Sequence, residues 1–159
     1  MGRTGGGTAV VIPARLLSTR FPAKLLHEIA GRSILEWTYR RATEATGPSS
    51  VYVATDSPEI AQVASSFNAQ VIHTGACASG SDRVAEAARQ LWPQPQAVIN
   101  LQGDEPLVDP GIIRRIAAEL HEQKGEIVTC GARFLSAEAW RDPSVVKVVR
   151  DLGGRAMYF

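Results

Sequence analysis

The sequence contains few cysteines, no long apolar run and no excess of charge of either sign, and each absence argues against a class of protein. Two of its 159 residues are cysteine, and the spacing of Cys77 and Cys130 is not that of metal ligands. We expect two reduced, packed thiols, with a disulfide as the alternative. No apolar run approaches the roughly 18 residues of a membrane span. Seventeen basic and sixteen acidic residues give a formal charge of +1, which argues against a general nucleic-acid or membrane-surface binder.

Two well-known phosphate-binding motifs are also missing. G-x-G-x-x-G after the first strand is typical of dinucleotide-binding domains, and G-x-x-x-x-G-K-[ST] is typical of NTPases, and neither occurs in this sequence. The glycine-rich start has neither the long apolar core of a signal peptide nor a myristoylation signal. We therefore expect residues 1–7 to be a flexible leader and the protein to be cytoplasmic.

What the chain does have is the composition of a globular domain, in which apolar runs alternate with helical patterns. Four apolar runs predict buried strands: TAVVIPA, SVYVAT, AQVIHT and AVINLQG. The predicted helices are SILEWTYRRATEA after an N-cap at Ser33, a helix from Ser57 to about Phe67, DRVAEAARQLW, and GIIRRIAAELHEQK between Asp109 and Gly125.

The last part of the chain has a different pattern. EIVTCGARF predicts a strand, SAEAWRD a short helix, and VVKVVRD followed by RAMYF a hairpin around Gly153 and Gly154. The β-α-β-α alternation before it predicts an α/β fold, with a mostly parallel sheet, helices on both faces and right-handed crossovers, so the hairpin is an extension. Ligands bind at the carboxyl ends of the strands in such sheets, which singles out residues 13–24, 55–57, 76–83 and 102–106.

Two of these loops carry opposite charges. The loop after the first strand contains Arg15, Arg20 and Lys24, which suit a polyphosphate, although a solvated surface loop is the alternative. The loop after the fourth strand, QGDEP, contains Asp104 and Glu105. Mg²⁺ usually takes one or two protein carboxylates together with substrate phosphates, so this loop is a candidate metal site, with a solvated turn as the alternative.

The loop SGSDR, residues 79–83, lies at the start of the third predicted helix. Ser81 or Asp82 is expected to cap that helix by accepting a hydrogen bond from a free backbone N–H group. A helix N-terminus also offers donors to an incoming polar group, so capping and ligand binding can coexist there.

Several stretches together resemble the CMP-Kdo synthetases, the 3-deoxy-manno-octulosonate (Kdo) cytidylyltransferases of bacterial lipopolysaccharide synthesis. They are VVIPARLLSTRFPAKLL, VATDSPEIA, SGSDR, INLQGDEPLVDP and DPSVVKVVRDLGGRAMYF. The pattern P-A-R-x-x-S-T-R-x-P-x-K is specific, whereas the related CMP-sialic acid synthetases have a first loop more like K-R-I-P-x-K. The resemblance implies a Rossmann-like nucleotidyltransferase fold over residues 8–159.

The resemblance also implies a reaction, in which the anomeric hydroxyl of Kdo attacks the α-phosphate of CTP to give CMP-Kdo and pyrophosphate. Its implied partners are CTP, Kdo and Mg²⁺, and full-length members are expected to be homodimers. The implied catalytic residues are Arg15, Lys24 and Asp104. By resemblance, Arg15 and Lys24 hold the triphosphate, and Arg20 lies nearby. The cytidine pocket is lined by Ala14, Ser81 and Arg83 and supported by Asp82. The resemblance also implies that Asp104 binds Mg²⁺, that Gln102 faces the sugar and that Asp56 lies near the nucleotide.

The chain departs from the family pattern in two places. Leu25 stands where the family often has proline, which leaves the cations of the first loop intact. Family members continue past the position of Phe159, so we expect the domain to be incomplete at its C-terminus. Two alternatives remain open: a CMP-sialic acid or CMP-8-amino-Kdo synthetase, and a fragment that binds CTP without turnover.

Overall fold

The computed structural model describes residues 6–16, 21–122, 127–133 and 136–159. The chain forms two units, Met1–Ile127 and Val128–Phe159. The strands of the first unit are β1 (Gly6–Ala14), β2 (Glu28–Ile29), β3 (Arg32–Ser33), β4 (Val51–Thr55), β5 (Gln70–His73) and β6 (Pro95–Asn100). Its helices are α1 (Ile34–Thr46), α2 (Pro58–Ser66), α3 (Gly80–Gln90) and α4 (Pro110–Glu122), with short 3₁₀ turns at Lys24–Leu26 and Pro48–Ser50.

Four strands of the first unit form one parallel sheet in the order β5-β4-β1-β6, while β2 and β3 pair separately as a small antiparallel ribbon. This arrangement confirms the predicted α/β fold. Strand β1 is central, and its side chains alternate between the two faces because successive residues of a strand point in opposite directions. Val10 and Ile12 pack with α1, α2 and α4, whereas Val11 packs with α3 on the other face.

Three of the helix starts follow local signals that the sequence predicts. Ser33 caps α1 by accepting a hydrogen bond from the backbone N–H of Glu36 at 3.1 Å, and Ser57 caps α2 in the same way. At α4, the Asp109 carboxylate accepts a hydrogen bond from the backbone N–H of Gly111 at 2.8 Å. The predicted stop of this helix at Gly125 lies outside the described residues.

The predicted cap of α3 is wrong. The helix begins at Gly80 and is capped by Ser79, whose Oγ accepts a hydrogen bond from the backbone N–H of Asp82 at 3.1 Å. Ser81 and Asp82 therefore lie within the first turn. The Ser79 hydroxyl also donates to the Asp82 carboxylate at 2.7 Å, so serine and aspartate act together in a reciprocal arrangement close to a capping box.

The second unit contains helix α5 (Ala137–Arg141) and an antiparallel pair of strands, β7 (Val149–Arg150) and β8 (Ala156–Tyr158). The pair confirms the predicted hairpin, in which Gly154 has a left-handed φ of 88° that favours glycine. The strand predicted from EIVTCGARF is wrong in its described part, because residues 127–133 are irregular and have no strand partner among the described residues.

Two further expectations bear on the surface. Both cysteines are free thiols, as expected, but only Cys77 is partly packed, because Cys130 is exposed. No helix in the described part of the chain is long and apolar enough to cross a membrane.

Candidate active site

The candidate site lies at the carboxyl edge of the parallel sheet, where the chain changes direction across it. From β1 the chain moves to β4 and then to β5 on one side, and it then crosses back to place β6 on the other side of β1. Val11 of β1 pairs with Asn100 at the end of β6, so the loops that follow these two strands are neighbours. A switch point of this kind is where open α/β sheets bind ligands.

An ion pair joins these two loops. The Nζ of Lys24, from the loop after β1, lies 2.7 Å from the Oδ2 of Asp104, from the loop after β6. The lysine side chain is 41% exposed and the aspartate side chain 42%, so solvent reaches both groups. Two residues that the sequence assigned to phosphate and metal are therefore within hydrogen-bonding distance of each other.

The loop after β6 is held in place by contacts of its glycine. The carbonyl of Gly103 accepts a hydrogen bond from the buried hydroxyl of Thr38 on α1 at 2.9 Å. A Cβ added to Gly103 would lie 3.1 Å from the Cδ1 of Leu25 and 3.3 Å from the carbonyl oxygen of Pro13. Leu25, the residue that departs from the family pattern, thus packs against the glycine next to Asp104. A side chain here would push against Leu25 and the Pro13 carbonyl, so this tight packing favours glycine next to the residue that carries the carboxylate.

A chain of side-chain hydrogen bonds connects β6 to the start of α3. Gln102 donates from Nε2 to the Oδ1 of Asn100 at 2.9 Å. Asn100 donates in turn from Nδ2 to the Oγ of Ser81 at 3.4 Å. All three residues are exposed, and they bring the predicted sugar-facing and cytidine-facing residues into one connected group.

The start of α3 lies against the end of β1. A Cβ added to Gly80 would lie 3.6 Å from the Cγ of Pro13 and 3.8 Å from the Oε1 of Gln102. The first turn of the helix, which carries Ser81 and Asp82, is therefore close to the loop after β6. This proximity brings residues of three loops to one place.

Arg83 is buried rather than exposed to a ligand. Its side chain is 1% exposed, and its Nη2 lies 2.9 Å from the Oδ2 of Asp56, which follows β4. Its Nη1 donates to the hydroxyl of Thr74, and more weakly to the carbonyl of Gly75 at 3.4 Å, both after β5. Its Nε has no hydrogen-bond partner among the described residues. Arg83 thus ties α3 to the carboxyl ends of β4 and β5.

The carboxylate of Glu86, also on α3, binds the same loop after β5 that Arg83 contacts. It accepts a hydrogen bond from the backbone N–H of Gly75 at 2.8 Å and another from the thiol of Cys77 at 3.3 Å. Both bonds lower the pKa of Glu86 below its usual value, and the bond from Gly75 has the larger effect. Burial raises the pKa of Cys77, and the hydrogen bond to Glu86 raises it further. The thiol is therefore held in its protonated, unreactive form.

The remaining predicted site residues lie along the first loop. Ala14 is buried at the end of β1, and Arg15 follows it with an exposed side chain that makes no ion pair among the described residues. Arg20 lies outside the described residues. Among the residues that the structure describes, no group of three or more histidine, cysteine, aspartate or glutamate side chains could hold a metal ion by itself.

A shallow groove of about 500 Å³ lies elsewhere on the first unit. It is lined by Tyr39, Arg40, Thr43, Glu44, Pro48, Phe67 and Asn68. Pro48 and Asn68 precede β4 and β5, so the groove is at the amino edge of the sheet, opposite the candidate site. It contains none of the predicted site residues.

Sequence reasoning missed two residues that organise the site. Thr38 lies inside α1, and its contact with Gly103 depends on the packing of that helix against a distant loop. Asn100 is the last residue of a strand that the sequence predicted, two residues before the start of QGDEP at Gln102. Its position at the carboxyl end of a strand was a usable signal, because polar residues there face the ligand edge.

The sheet order and the charged loops at its carboxyl edge define an α/β domain with a ligand site at the switch point of its sheet. The family model described as cytidylyltransferase matches residues 9–159, so the chain belongs to the cytidylyltransferase family.

Curated relatives narrow the comparison. The chain is 44% identical over 151 residues to a 3-deoxy-manno-octulosonate cytidylyltransferase of Anaeromyxobacter dehalogenans, covering 95% of this chain and 62% of that protein. It is 44% identical over 153 residues to the protein of the same name from Myxococcus xanthus, covering 96% of this chain and 61% of the relative. The chain thus spans about three fifths of the length of these relatives.

Solved structures agree on the fold. A CMP:2-keto-3-deoxy-manno-octonic acid synthetase complexed with CTP superposes with a TM-score of 0.83 at 32% identity, covering 96% of this chain and 63% of that one. A cytidylyltransferase from Leptospira borgpetersenii gives a TM-score of 0.66 at 22% identity, covering 76% and 51%, and shows the shared fold alone. These structures confirm the predicted nucleotidyltransferase fold.

Proposed function

We propose that this chain carries the nucleotide-binding part of an enzyme that transfers CMP from CTP to the anomeric hydroxyl of Kdo, for lipopolysaccharide synthesis. The observation that carries the proposal is the Lys24–Asp104 pair, which puts a cation and a carboxylate from two neighbouring loops at the switch point of the sheet. Relatives named for this reaction, and a similar structure complexed with CTP, support the choice of nucleotide and sugar.

The reaction is a substitution at the α-phosphorus of CTP. The anomeric oxygen of Kdo forms a bond to this phosphorus, and the bond to the bridging oxygen of the β-phosphate breaks. Pyrophosphate leaves with the electron pair, and the hydroxyl proton is released. Such a transfer depends on positioning and charge stabilisation more than on covalent catalysis.

The cations of the first loop bind the triphosphate. Arg15 is exposed directly after β1, and it has no ion pair among the described residues, so its guanidinium is available for phosphate oxygens. Lys24 is half-exposed, and it exchanges its bond to Asp104 for a bond to the phosphates when CTP enters. Arg20 adds a third positive charge to this loop.

The residues around Asp104 fit a magnesium ion that the nucleotide brings with it. Mg²⁺ usually combines one or two protein carboxylates with substrate phosphates. Asp104 offers one half-exposed carboxylate, and the described residues contain no group of three ligands that would bind a metal without the nucleotide. When bound, Mg²⁺ supplies positive charge that neutralises the phosphates and orients them. Asp104 would hold the ion, and the hydrogen bond from Thr38 to the carbonyl of Gly103 keeps the neighbouring backbone in place.

The wall of the cytidine pocket comes from the end of β1 and the start of α3. Ser81 faces the nucleoside, Ala14 lies buried beneath the pocket at the end of β1, and Asp82 supports the first turn of α3 through its bonds with Ser79. Arg83 acts from behind this wall, because its buried guanidinium bonds Asp56 and Thr74. Asp56 is thus linked to the nucleotide site through Arg83. Gln102 faces the sugar from the loop after β6.

Three broader expectations belong to the same proposal. They are a nucleotidyltransferase domain over residues 8–159 that the complete enzyme extends further, a cytoplasmic location, and a homodimer of the full-length protein. The resemblance to the CMP-Kdo synthetases supports them.

Nucleotide titration tests the proposal directly. Calorimetry with CTP, UTP, ATP and GTP in the presence of Mg²⁺ is expected to give the tightest binding for CTP. Product analysis after incubation with CTP and Kdo, or with CTP and a sialic acid, identifies the sugar. Equal or tighter purine binding would contradict the cytidine assignment, and CTP binding without pyrophosphate release would indicate a binding fragment.

A matched pair of variants tests the metal role. Asp104→Asn is expected to keep the fold but to remove the Mg²⁺-dependent tightening of CTP binding, because an amide keeps the shape of the side chain and loses its charge. Glu105→Gln removes the neighbouring exposed carboxylate and is expected to leave the tightening unchanged. Melting curves with and without Mg²⁺ and CTP measure both, and a full metal-dependent shift in Asp104→Asn would refute the assignment.

A further inference from the structure

We propose that Asn100 is a positioning residue that orients both the side-chain amide of Gln102 and the hydroxyl of Ser81 toward the ligand. The inference rests on the proposed function, because it assigns a direction to two groups of that same site. It adds a residue at the end of β6 that links the sugar side of the site to the nucleotide side.

The two bonds of Asn100 use both ends of its amide. Its Oδ1 accepts from the Nε2 of Gln102 at 2.9 Å, and its Nδ2 donates to the Oγ of Ser81 at 3.4 Å. An amide oxygen accepts and an amide nitrogen donates, so the order of donors along the chain is fixed once one member is fixed. The group runs from Gln102 through Asn100 to Ser81 in one direction.

This direction decides what the site offers to a ligand. One N–H of the Gln102 amide bonds Asn100, which fixes the amide so that its Oε1 is left as an acceptor, and this oxygen lies on the side of Gly80 at the start of α3. Ser81 accepts from Asn100, so its hydroxyl hydrogen is left as a donor. The site therefore presents an acceptor for a ligand hydroxyl beside a donor for a ligand oxygen.

The backbone gives Asn100 a firm position for this role. Asn100 pairs with Val11 of the buried central strand, and the next residue donates its backbone N–H to the carbonyl of Val11 at 3.1 Å. Gln102 and Ser81 lie on a loop and in the first turn of a helix, where side chains are less constrained. A side chain on the sheet thus holds two side chains that lie beyond it, which is how functional groups are usually kept in place.

Two substitutions of Asn100 test the two bonds, and a third variant is the control. Asn100→Ala removes both of them. Asn100→Asp keeps an oxygen for Gln102 but has no donor for Ser81, so the serine hydroxyl turns to donate to the new carboxylate. Gln96→Ala, on the same strand and also exposed, is the matched control. Cytidine is titrated as well as CTP, because it has no phosphates for a new carboxylate to repel.

For binding, we expect Asn100→Ala to weaken CTP and cytidine about three- to tenfold, the range for one hydrogen bond. Because Asn100 acts through Ser81, Asn100→Ala should cost nothing more in a Ser81→Ala background. Asn100→Asp should weaken cytidine about as much as Ser81→Ala does. The melting temperature of Asn100→Ala should equal that of Gln96→Ala, whereas a merely structural role would lower it.

For orientation, nuclear magnetic resonance of the Gln102 side-chain amide gives a readout that needs no ligand. Asn100→Ala should move this signal to the position of a solvated glutamine, and Asn100→Asp should leave it displaced. Additive losses in the double variant, or a Gln102 signal that ignores Asn100→Ala, would overturn the inference while CTP binding still stands. If the unsubstituted chain binds neither CTP nor cytidine, the proposed function fails and this inference fails with it.

Discussion

Two ion pairs lie at the carboxyl edge of the same sheet, and they differ mainly in burial. Lys24 and Asp104 are both close to two-fifths exposed, whereas the Arg83 side chain is 1% exposed and its partner Asp56 is 37% exposed. Lysine bonds a single carboxylate oxygen in the first pair, while arginine contacts three residues after two strands in the second. Each pair joins one cation to one carboxylate, but only the exposed pair can readily exchange its partners.

The difference in burial separates a pair that can exchange partners from one that cannot. An exposed pair contributes at most about 1 kcal/mol, so phosphates or a metal ion can separate it at low cost. A buried guanidinium that loses its partners keeps an uncompensated charge, which is strongly destabilising. We infer that the exposed pair serves the ligand and the buried pair holds the loops around it.

The largest effect is expected from breaking the buried pair. Arg83→Met keeps the length of the side chain but removes its bonds to Asp56, Thr74 and Gly75. We expect the free energy of unfolding to fall by about 3 kcal/mol, as measured by urea denaturation, because Thr74 and Gly75 lose hydrogen bonds to a charged group, each of which contributes about 1.5–3 kcal/mol. Lys24→Met makes the same change in the exposed pair and should cost less than about 1 kcal/mol. Equal losses in the two variants would remove the distinction.

The next effect concerns phosphate binding by the first loop. Arg15→Ala and Lys24→Ala should each weaken CTP binding by about 1.5–3 kcal/mol, the range for hydrogen bonds to charged groups, and should barely change cytidine binding. Parallel calorimetric titrations with CTP and cytidine measure the difference. If both ligands weaken alike, these side chains support the fold and do not bind the phosphates.

A smaller effect is expected on the metal ion in the absence of nucleotide. Lys24→Met frees the Asp104 carboxylate from its 2.7 Å partner, so the affinity for Mn²⁺, used as a spectroscopic substitute for Mg²⁺, should rise about fivefold at most. Electron paramagnetic resonance of free Mn²⁺ measures it. Arg40→Met, which removes an exposed cation from the partly buried Glu36 carboxylate on α1, is the control and should leave the affinity unchanged. An unchanged or weaker affinity in Lys24→Met would contradict an exchange of partners at Asp104.

The smallest effect is a pH dependence near the buried pair. The pKa of Glu86 is lowered in the folded chain, mainly by the hydrogen bond from the N–H of Gly75. The carboxylate therefore contributes to stability above about pH 4.5, the pKa of this group in an unfolded chain. This contribution is lost as the pH falls through the lower pKa of the folded chain. Glu86→Gln should therefore lose slightly less stability than the unsubstituted chain between pH 7 and pH 3. Urea midpoints at both pH values measure it, and parallel losses would contradict the assignment.

The sequence predicted the elements whose signals are local. Ser33 and Ser57 cap their helices within three residues of themselves, and short apolar runs predicted the four parallel strands. The cap of α3, expected at Ser81 or Asp82, lies two or three residues earlier at Ser79, because the sequence does not show which side chain of SGSDR faces the free N–H groups. In EIVTCGARF, apolar residues suggested a strand, but a strand needs a partner, and pairing is not a local property.

The site was predicted in its residue types and missed in its connections. Lys24 and Asp104 were each assigned from the chemistry of their own loop, yet their bond depends on β1 and β6 being neighbours. The burial of Arg83 could not be predicted, because it depends on where Asp56 and Thr74 lie after the sheet has formed. The residue types of the site can thus be predicted from the sequence, whereas the bonding partner of each residue can be identified only once the fold is known.

The central position of β1 also determines when the site can form during synthesis. Val10 of β1 pairs with Val51 on one side and with Ile99 on the other. As the chain leaves the ribosome, β4 can join β1 early, but the other edge of β1 stays open until β6 has emerged. An open edge of an apolar strand invites pairing with other chains. The two loops that make the candidate site therefore meet only when the last strand of the sheet joins, so a nascent chain keeps this open edge while it still lacks the place where CTP is proposed to bind.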